Sequence, residues 1–187
     1  EKQINVEQTM YAILSNYPTQ LTTAKVSLDI NSVGGPKVAK KIVLLSEIGQ
    51  TDIYRAVTNN KGIMNGVDSV LVATGNDYRG VEAATAVWAN KDGSYTSLSK
   101  WSIANDRLIG TVTIPLAIGV VGGSIKARQD IQQSFNLLGK VSAEQLAEII
   151  AATGLANNFS ALLAISTKGI QAGHMKLQAR NLVATLK

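Results

Sequence analysis

Residues 22–49, TTAKVSLDINSVGGPKVAKKIVLLSEIG, change their apolar period once, and that change decides the fold class. Ala24, Val26, Leu28 and Ile30 fall on one face and Thr23, Lys25, Ser27 and Asp29 on the other, the alternation of a half-buried strand. Gly34-Gly35 ends it and Pro36 suits a first helical turn. Val38, Ile42, Leu45 and Ile48 then recur at helical spacing to about Gly49. Working outward, Ile63, Val67, Val70 and Leu71 predict a second helix from about Lys61 to Thr74. An alanine-rich helix over 79–90 and a turn at Lys91-Asp92-Gly93 follow. Segments 95–103 and 108–116 read as a hairpin turning near Asn105-Asp106. Ser142 and Gln145 form a capping box for a helix with Leu146, Ile149 and Ile150 inside, ending near Gly154. Residues 155–168 and 174–186 are predicted helical as well. Without repeats, low-complexity tracts or a long linker, this order of strands and helices predicts an α+β fold.

At 187 residues and 45% apolar content the chain can bury a real core. No stretch offers the roughly 18 to 20 uninterrupted apolar residues of a membrane span, and Glu1-Lys2-Gln3-Ile4-Asn5 lacks the form of a signal peptide. The expectation is a soluble cytoplasmic protein with no membrane partner. Zero cysteines exclude disulfides and thiolate metal sites, and a single histidine argues against a histidine metal cluster, so the chemistry expected is metal-free. The net charge of +5 comes from basic residues spread along the sequence. Two Trp, five Tyr and two Phe show no interleaving with them. Nucleic acid is therefore a weak reading. A polyanion such as a nucleotide or coenzyme A suits the charge equally, and a solvated basic surface suits it better than either.

No G-x-G-x-x-G, G-x-x-x-x-G-K-[ST] or G-x-S-x-G motif is present, and there is no cysteine nucleophile. Four residues remain: Lys61, Asn65, Asp77 and His174. Lys61 and Asn65 are four apart and share a helix face. A lysine beside a carboxylate in a dry pocket can hold the charge that develops on an attacked carbonyl oxygen. Taken on the residues alone, Lys61 near a helix end and Asp77 in a turn are the commoner situation. His174 follows Gly173 at an expected helix N-terminus, where the helix dipole favours proton donation, although a lone histidine more often caps or packs. Arg55 could grip a carboxylate in a bidentate pair or serve a structural one. The segment Ile118-Gly119-Val120-Val121-Gly122-Gly123-Ser124 could bring backbone amides to an anion or be a plain turn.

At these residues the chain resembles the bacterial, class II type of 3-hydroxy-3-methylglutaryl-coenzyme A (HMG-CoA) reductase. The resemblance rests on Tyr54-Arg55-Ala56, Asn60-Lys61-Gly62-Ile63-Met64-Asn65-Gly66, Ala73-Thr74-Gly75-Asn76-Asp77, Val121-Gly122-Gly123 and Gly169-Ile170-Gln171-Ala172-Gly173-His174-Met175, in the family's order and at similar spacing. It runs from about Ile13 to the C-terminus. It implies a helix-rich large catalytic domain over residues 17–187, with residues 1–16 a remnant of the small dinucleotide-binding domain and hinge. It implies reduction of the HMG-CoA thioester to mevalonate with two NADH or NADPH and release of coenzyme A, in a homodimer with its active site between subunits. Within it, Lys61 would stabilise the oxyanion, Asp77 would hold and tune Lys61, and Arg55, Asn65, Gly122 and Gly123 would bind substrate. Asn16 would lie near the dinucleotide. His174 would protonate the departing thiolate, a fitting match of an imidazole near pKa ~6.5 with a thiol near ~8.5.

Departures accompany the match. The family's E-N-V-I-G-type glutamate motif and D-A-M-G-A-N-type dinucleotide motif do not occur here. The family's C-terminal flap is expected beyond Lys187, Asn59 stands where a histidine is usual, and Ile53 replaces a common proline. A large-domain fragment is expected. Two other readings compete: a chain that binds HMG-CoA or coenzyme A without turnover, and, more distantly, a basic nucleic-acid-binding module, which would bind with steep salt dependence.

Overall fold

The computed structural model describes residues 10–167 and residue 169. Its elements are β1 (Leu21–Asp29), a 3-10 turn (Asn31–Val33), α1 (Pro36–Thr51), α2 (Ile53–Ala73), α3 (Tyr78–Ala89), β2 (Ser99–Ala104), β3 (Arg107–Pro115), α4 (Gly123–Ala127), α5 (Gln129–Leu138) and α6 (Ala143–Ser166).

The three strands form an antiparallel sheet in the order β1-β3-β2. Asn105 and Asp106 take φ of 51° and 56°, the left-handed pair that joins β2 to β3 in a two-residue hairpin. The expected hairpin is there, with its first strand starting at Ser99 rather than residue 95. The register sets Ala24 opposite Val112 and Leu28 opposite Leu108, so the apolar sides of the strands share one face. Leu108, Val112 and Ile114 are buried on that face, and Thr23 and Thr113 join hydroxyls at 2.9 Å on the other. Helices α1, α3 and α6 pack on the sheet, and α2 packs on α6 and α1.

Three sequence expectations change. The helix read from Lys61 begins at Ile53, two turns earlier: Asp52 caps it by accepting the Arg55 amide at 2.9 Å, and the polar Asn59 and Asn60 hide a buried stripe. The stop read at Gly154 does not exist. α6 runs unbroken to Ser166 from the expected capping box, in which Ser142 accepts from the Gln145 amide and the Gln145 side chain from the Ser142 amide. Gly154 is there for close packing: a methyl group on it would meet Val67 at 2.9 Å and Ile63 at 3.2 Å, and one on Gly66 would meet the Thr153 carbonyl at 3.0 Å. Two facing glycines thus let α2 and α6 approach where side chains would hold them apart. α5 was not foreseen, although Ile131, Phe135 and Leu138 have helical spacing. The helix expected at 174–186 lies outside the described residues.

By length and mean hydropathy α6 could cross a bilayer. Its apolar side faces the sheet and α2, with Leu146, Ile150, Leu155 and Leu162 buried, so its composition is that of a core helix.

Candidate active site

The residues around Lys61 are fixed from two directions. Asn60 donates to the Thr96 carbonyl and accepts the Leu98 amide, both at 2.9 Å, which ties α2 to the segment entering β2. Asn59 donates to Ser97 Oγ at 2.6 Å and accepts from Asn158 of α6 at 2.9 Å. Asn158 in turn accepts the Trp101 indole N–H at 2.8 Å. The neighbouring Asn157 donates to the Gly62 carbonyl. Asn59, Asn60, Asn158 and Trp101 are all buried, so the backbone on each side of Lys61 is held by satisfied interior hydrogen bonds.

Lys61 and Asn65 themselves are exposed and project from the same side of α2, as their spacing requires. Tyr54 and Val57 extend that surface toward the start of the helix; Tyr54 is 88% exposed. Arg55 sits in the first turn, half-buried, with its Nε sealed from solvent and without a partner.

Past the end of α2 the chain turns through Gly75 into Asp77, which caps α3 by accepting the Gly80 amide at 3.0 Å. A methyl group on Gly80 would come within 2.6 Å of Asp77 Oδ2 and 2.7 Å of Asn16 Nδ2, so these two side chains close over one Cα. Both line a cavity of about 110 Å³ with Tyr17, Pro18, Val81 and Pro115. The glycine-rich segment joins the same corner: the Gly119 amide donates to Asn76 Oδ1 at 2.8 Å. Gly122 is exposed on that segment and Gly123 opens α4.

The structure therefore brings Asn16, Asp77 and the 118–123 segment to one end of α2, with Lys61, Asn65 and Arg55 along its length. The dry pocket expected around Lys61 and Asp77 is not formed by this chain alone: both residues are exposed. Among the described residues the ion pairs are Lys91–Asp92 and Arg128–Asp130, so Asp77 does not clasp Lys61 directly here and caps α3 instead. His174 lies outside the described residues. Asp68 and Glu82 received no role in the sequence reading. Asp68, three residues after Asn65, is pushed up to about 7 by burial first and then by the hydrogen bond and charge of Glu82 on α3. Its place seven residues beyond Lys61, on the same side of the helix, was the available signal.

A protein-family model described as hydroxymethylglutaryl-coenzyme A reductase matches residues 1–179. The chain is 43% identical over 172 residues to the 3-hydroxy-3-methylglutaryl-coenzyme A reductase of Archaeoglobus fulgidus, covering 91% of this chain and 39% of that protein. It is 40% identical over 181 residues to a probable reductase of the same name from Borreliella burgdorferi, covering 94% and 42%. A solved reductase from Streptococcus pneumoniae matches with a TM-score of 0.83 at 44% identity, over 95% of this chain and 44% of that one. A class II reductase from the same organism, bound to NADPH in open conformations, matches with a TM-score of 0.82 at 42% identity, over 86% and 46%. The chain spans about two fifths of the length of these curated relatives.

Proposed function

The chain belongs to the hydroxymethylglutaryl-coenzyme A reductase family, and from that premise we propose that it supplies the substrate-binding and oxyanion-stabilising part of a cytoplasmic enzyme that reduces HMG-CoA to mevalonate. The observation that carries this reading is the convergence at α2: Lys61 and Asn65 on one exposed side, Asp77, Asn16 and the glycine segment at its end. Residues 17–187 are assigned to the large domain and 1–16 to the hinge side of the small one.

In the reaction, two molecules of NADH or NADPH would each supply one hydride. Asn16 faces the dinucleotide, a role supported by the cavity it shares with Asp77. At about 110 Å³ the cavity is one edge of such a site, since whole ligand pockets run from roughly 300 Å³ upward. The Lys61 ammonium stabilises the oxyanion formed as the thioester carbonyl is reduced, and does the same for the aldehyde carbonyl in the second reduction. Asp77 sets the field around that ammonium. Asn65 and Arg55 bind the hydroxymethylglutaryl portion, the Arg55 guanidinium pairing with its carboxylate, and the backbone of Gly122 and Gly123 approaches the anionic substrate. Collapse of the tetrahedral intermediate breaks the C–S bond, and His174 gives its proton to the thiolate so that coenzyme A leaves as a thiol. The active site is completed between two copies of the chain: an exposed face bearing Tyr54, Val57, Lys61 and Asn65 combines apolar contact area with the catalytic ammonium.

Replacing His174→Gln in the complete reductase tests the assignment. Thioester reduction is expected to fall by about 10²- to 10⁴-fold while reduction of free mevaldehyde, which expels no thiolate, changes far less. Equal losses on the two substrates would remove the proton-donor role, and a lack of HMG-CoA-dependent oxidation of either dinucleotide would remove the reading as a whole.

A further inference from the structure

We propose that Asn157 on α6 is a positioning residue for the turn of α2 that presents Lys61 and Asn65: it holds that turn through the Gly62 carbonyl, so that both side chains meet a substrate in one fixed geometry. What the two side chains act on rests on the reductase reading; the hold on the turn does not.

The turn has an outer and an inner side. Lys61 and Asn65 are exposed, Gly62 is half-buried, and Ile63 and Gly66 are buried. Among the described residues no ion pair fixes the Lys61 ammonium, so where it sits follows from where its stretch of helix is held. A helix carbonyl keeps a second lone pair beyond the one used by its own ladder. At Gly62 that acceptor takes the side chain of Asn157, which donates its Nδ2 at 2.5 Å. Gly66 makes room for the approach, since a methyl group there would lie 3.0 Å from Asn157 Cβ and 3.0 Å from the Thr153 carbonyl oxygen.

The next residue of α6 grips α2 as well. Asn158 donates to Asn59 Oδ1 at 2.9 Å and accepts the Trp101 indole N–H at 2.8 Å. Asn59 and Gly62 are three apart, so the two holds fall about one turn from each other along α2. A single hold would let the helix roll about it, whereas two fix roll and slide together. The two asparagines divide the work by burial. Asn158 is buried among buried partners, and its loss strands them. Asn157 is half-buried and its acceptor keeps the helix ladder, so its loss frees the turn at a smaller cost in stability. That separates position from folding.

The test uses the complete protein containing this chain as wild type, Asn157→Ala and Asn157→Asp. Leu162→Ala is the control: it opens a cavity in the core five residues further along α6. Alanine removes the donor at 157, and aspartate keeps the shape but sets an acceptor against the Gly62 carbonyl. Hydrogen exchange should rise over residues 61–66 in both variants while α1 keeps its protection. Turnover of HMG-CoA should fall about tenfold in Asn157→Ala and further in Asn157→Asp. A packing role alone gives the reverse order, because aspartate fills the space of asparagine, and that order would overturn the proposal. Unchanged exchange over 61–66, or wild-type turnover in both variants, would do the same. Leu162→Ala should lower the unfolding midpoint more than Asn157→Ala and keep its turnover; a loss of turnover in step with its loss of stability would overturn the positioning role. A wild-type protein without HMG-CoA-dependent turnover would strike the reductase reading, and the exchange measurement would then decide the hold on the turn by itself.

Discussion

Gly75 decides the path of the chain between the helix bearing Lys61 and the loop bearing Asp77. It takes φ of +68°, a conformation that favours glycine, and a methyl group on it would press on the end of the Ile131 side chain. Gly75→Ala is expected to cost about 1–3 kcal/mol in denaturant unfolding and to displace Asp77; an unchanged midpoint would contradict this account of the turn. At this scale the sequence was readable where one residue's type and spacing carry the meaning. Lys61 and Asn65 share a side because they are four apart, and Asp77 lies in the turn before a helix, where a carboxylate caps. Asn59 and Asn60 were opaque because a buried, fully hydrogen-bonded amide is spelled like a surface one. The exposure of Lys61 was equally hidden, since whether a pocket is dry depends on what else covers it.

Among the elements, the contact of α2 with α6 governs the site. Gly66 and Gly154 permit the close approach, and Asn157 and Asn158 use it to reach the backbone of Gly62 and the side chain of Asn59. Asn158→Ala leaves the Trp101 indole N–H and the Asn59 carbonyl oxygen buried and unpaired. About 2–4 kcal/mol of stability should be lost, measured by denaturant midpoint and slope, with less than 0.5 kcal/mol the result that would show the network to be dispensable. The strand alternation, the Pro36 start and the Ser142 capping box were legible because each is a local rule obeyed locally. Gly154 was misread as a helix stop because close packing and helix termination select the same residue, and only the partner helix separates them. The early start of α2 was missed because its first two turns show an apolar, exposed Tyr54 and Val57 and bury asparagines, inverting the usual pattern.

For the whole molecule, the sheet and its covering helices make a folded core, yet large apolar residues stay exposed, and two groups of them lie close along the chain: Met10, Tyr11, Ile13 and Leu14 before the sheet, and Ile53, Tyr54 and Val57 on α2. Contiguous apolar exposure of this kind fits surfaces made to be covered, and the second runs into Lys61 and Asn65. The α+β class could be read from the order of elements, and the resemblance already implied a site shared between subunits; which of its side chains stay uncovered could not be read, because that depends on packing. The proposed role of Lys61 is to supply the charge that makes HMG-CoA reducible. The most direct test is HMG-CoA-dependent oxidation of NADH and NADPH by the complete protein containing this chain, as wild type and as Lys61→Ala. Turnover by the wild type and a loss of about 10²- to 10³-fold or more in the variant, with its unfolding midpoint preserved, is the predicted result. Near-normal turnover by Lys61→Ala, or oxidation that does not depend on HMG-CoA, would contradict it.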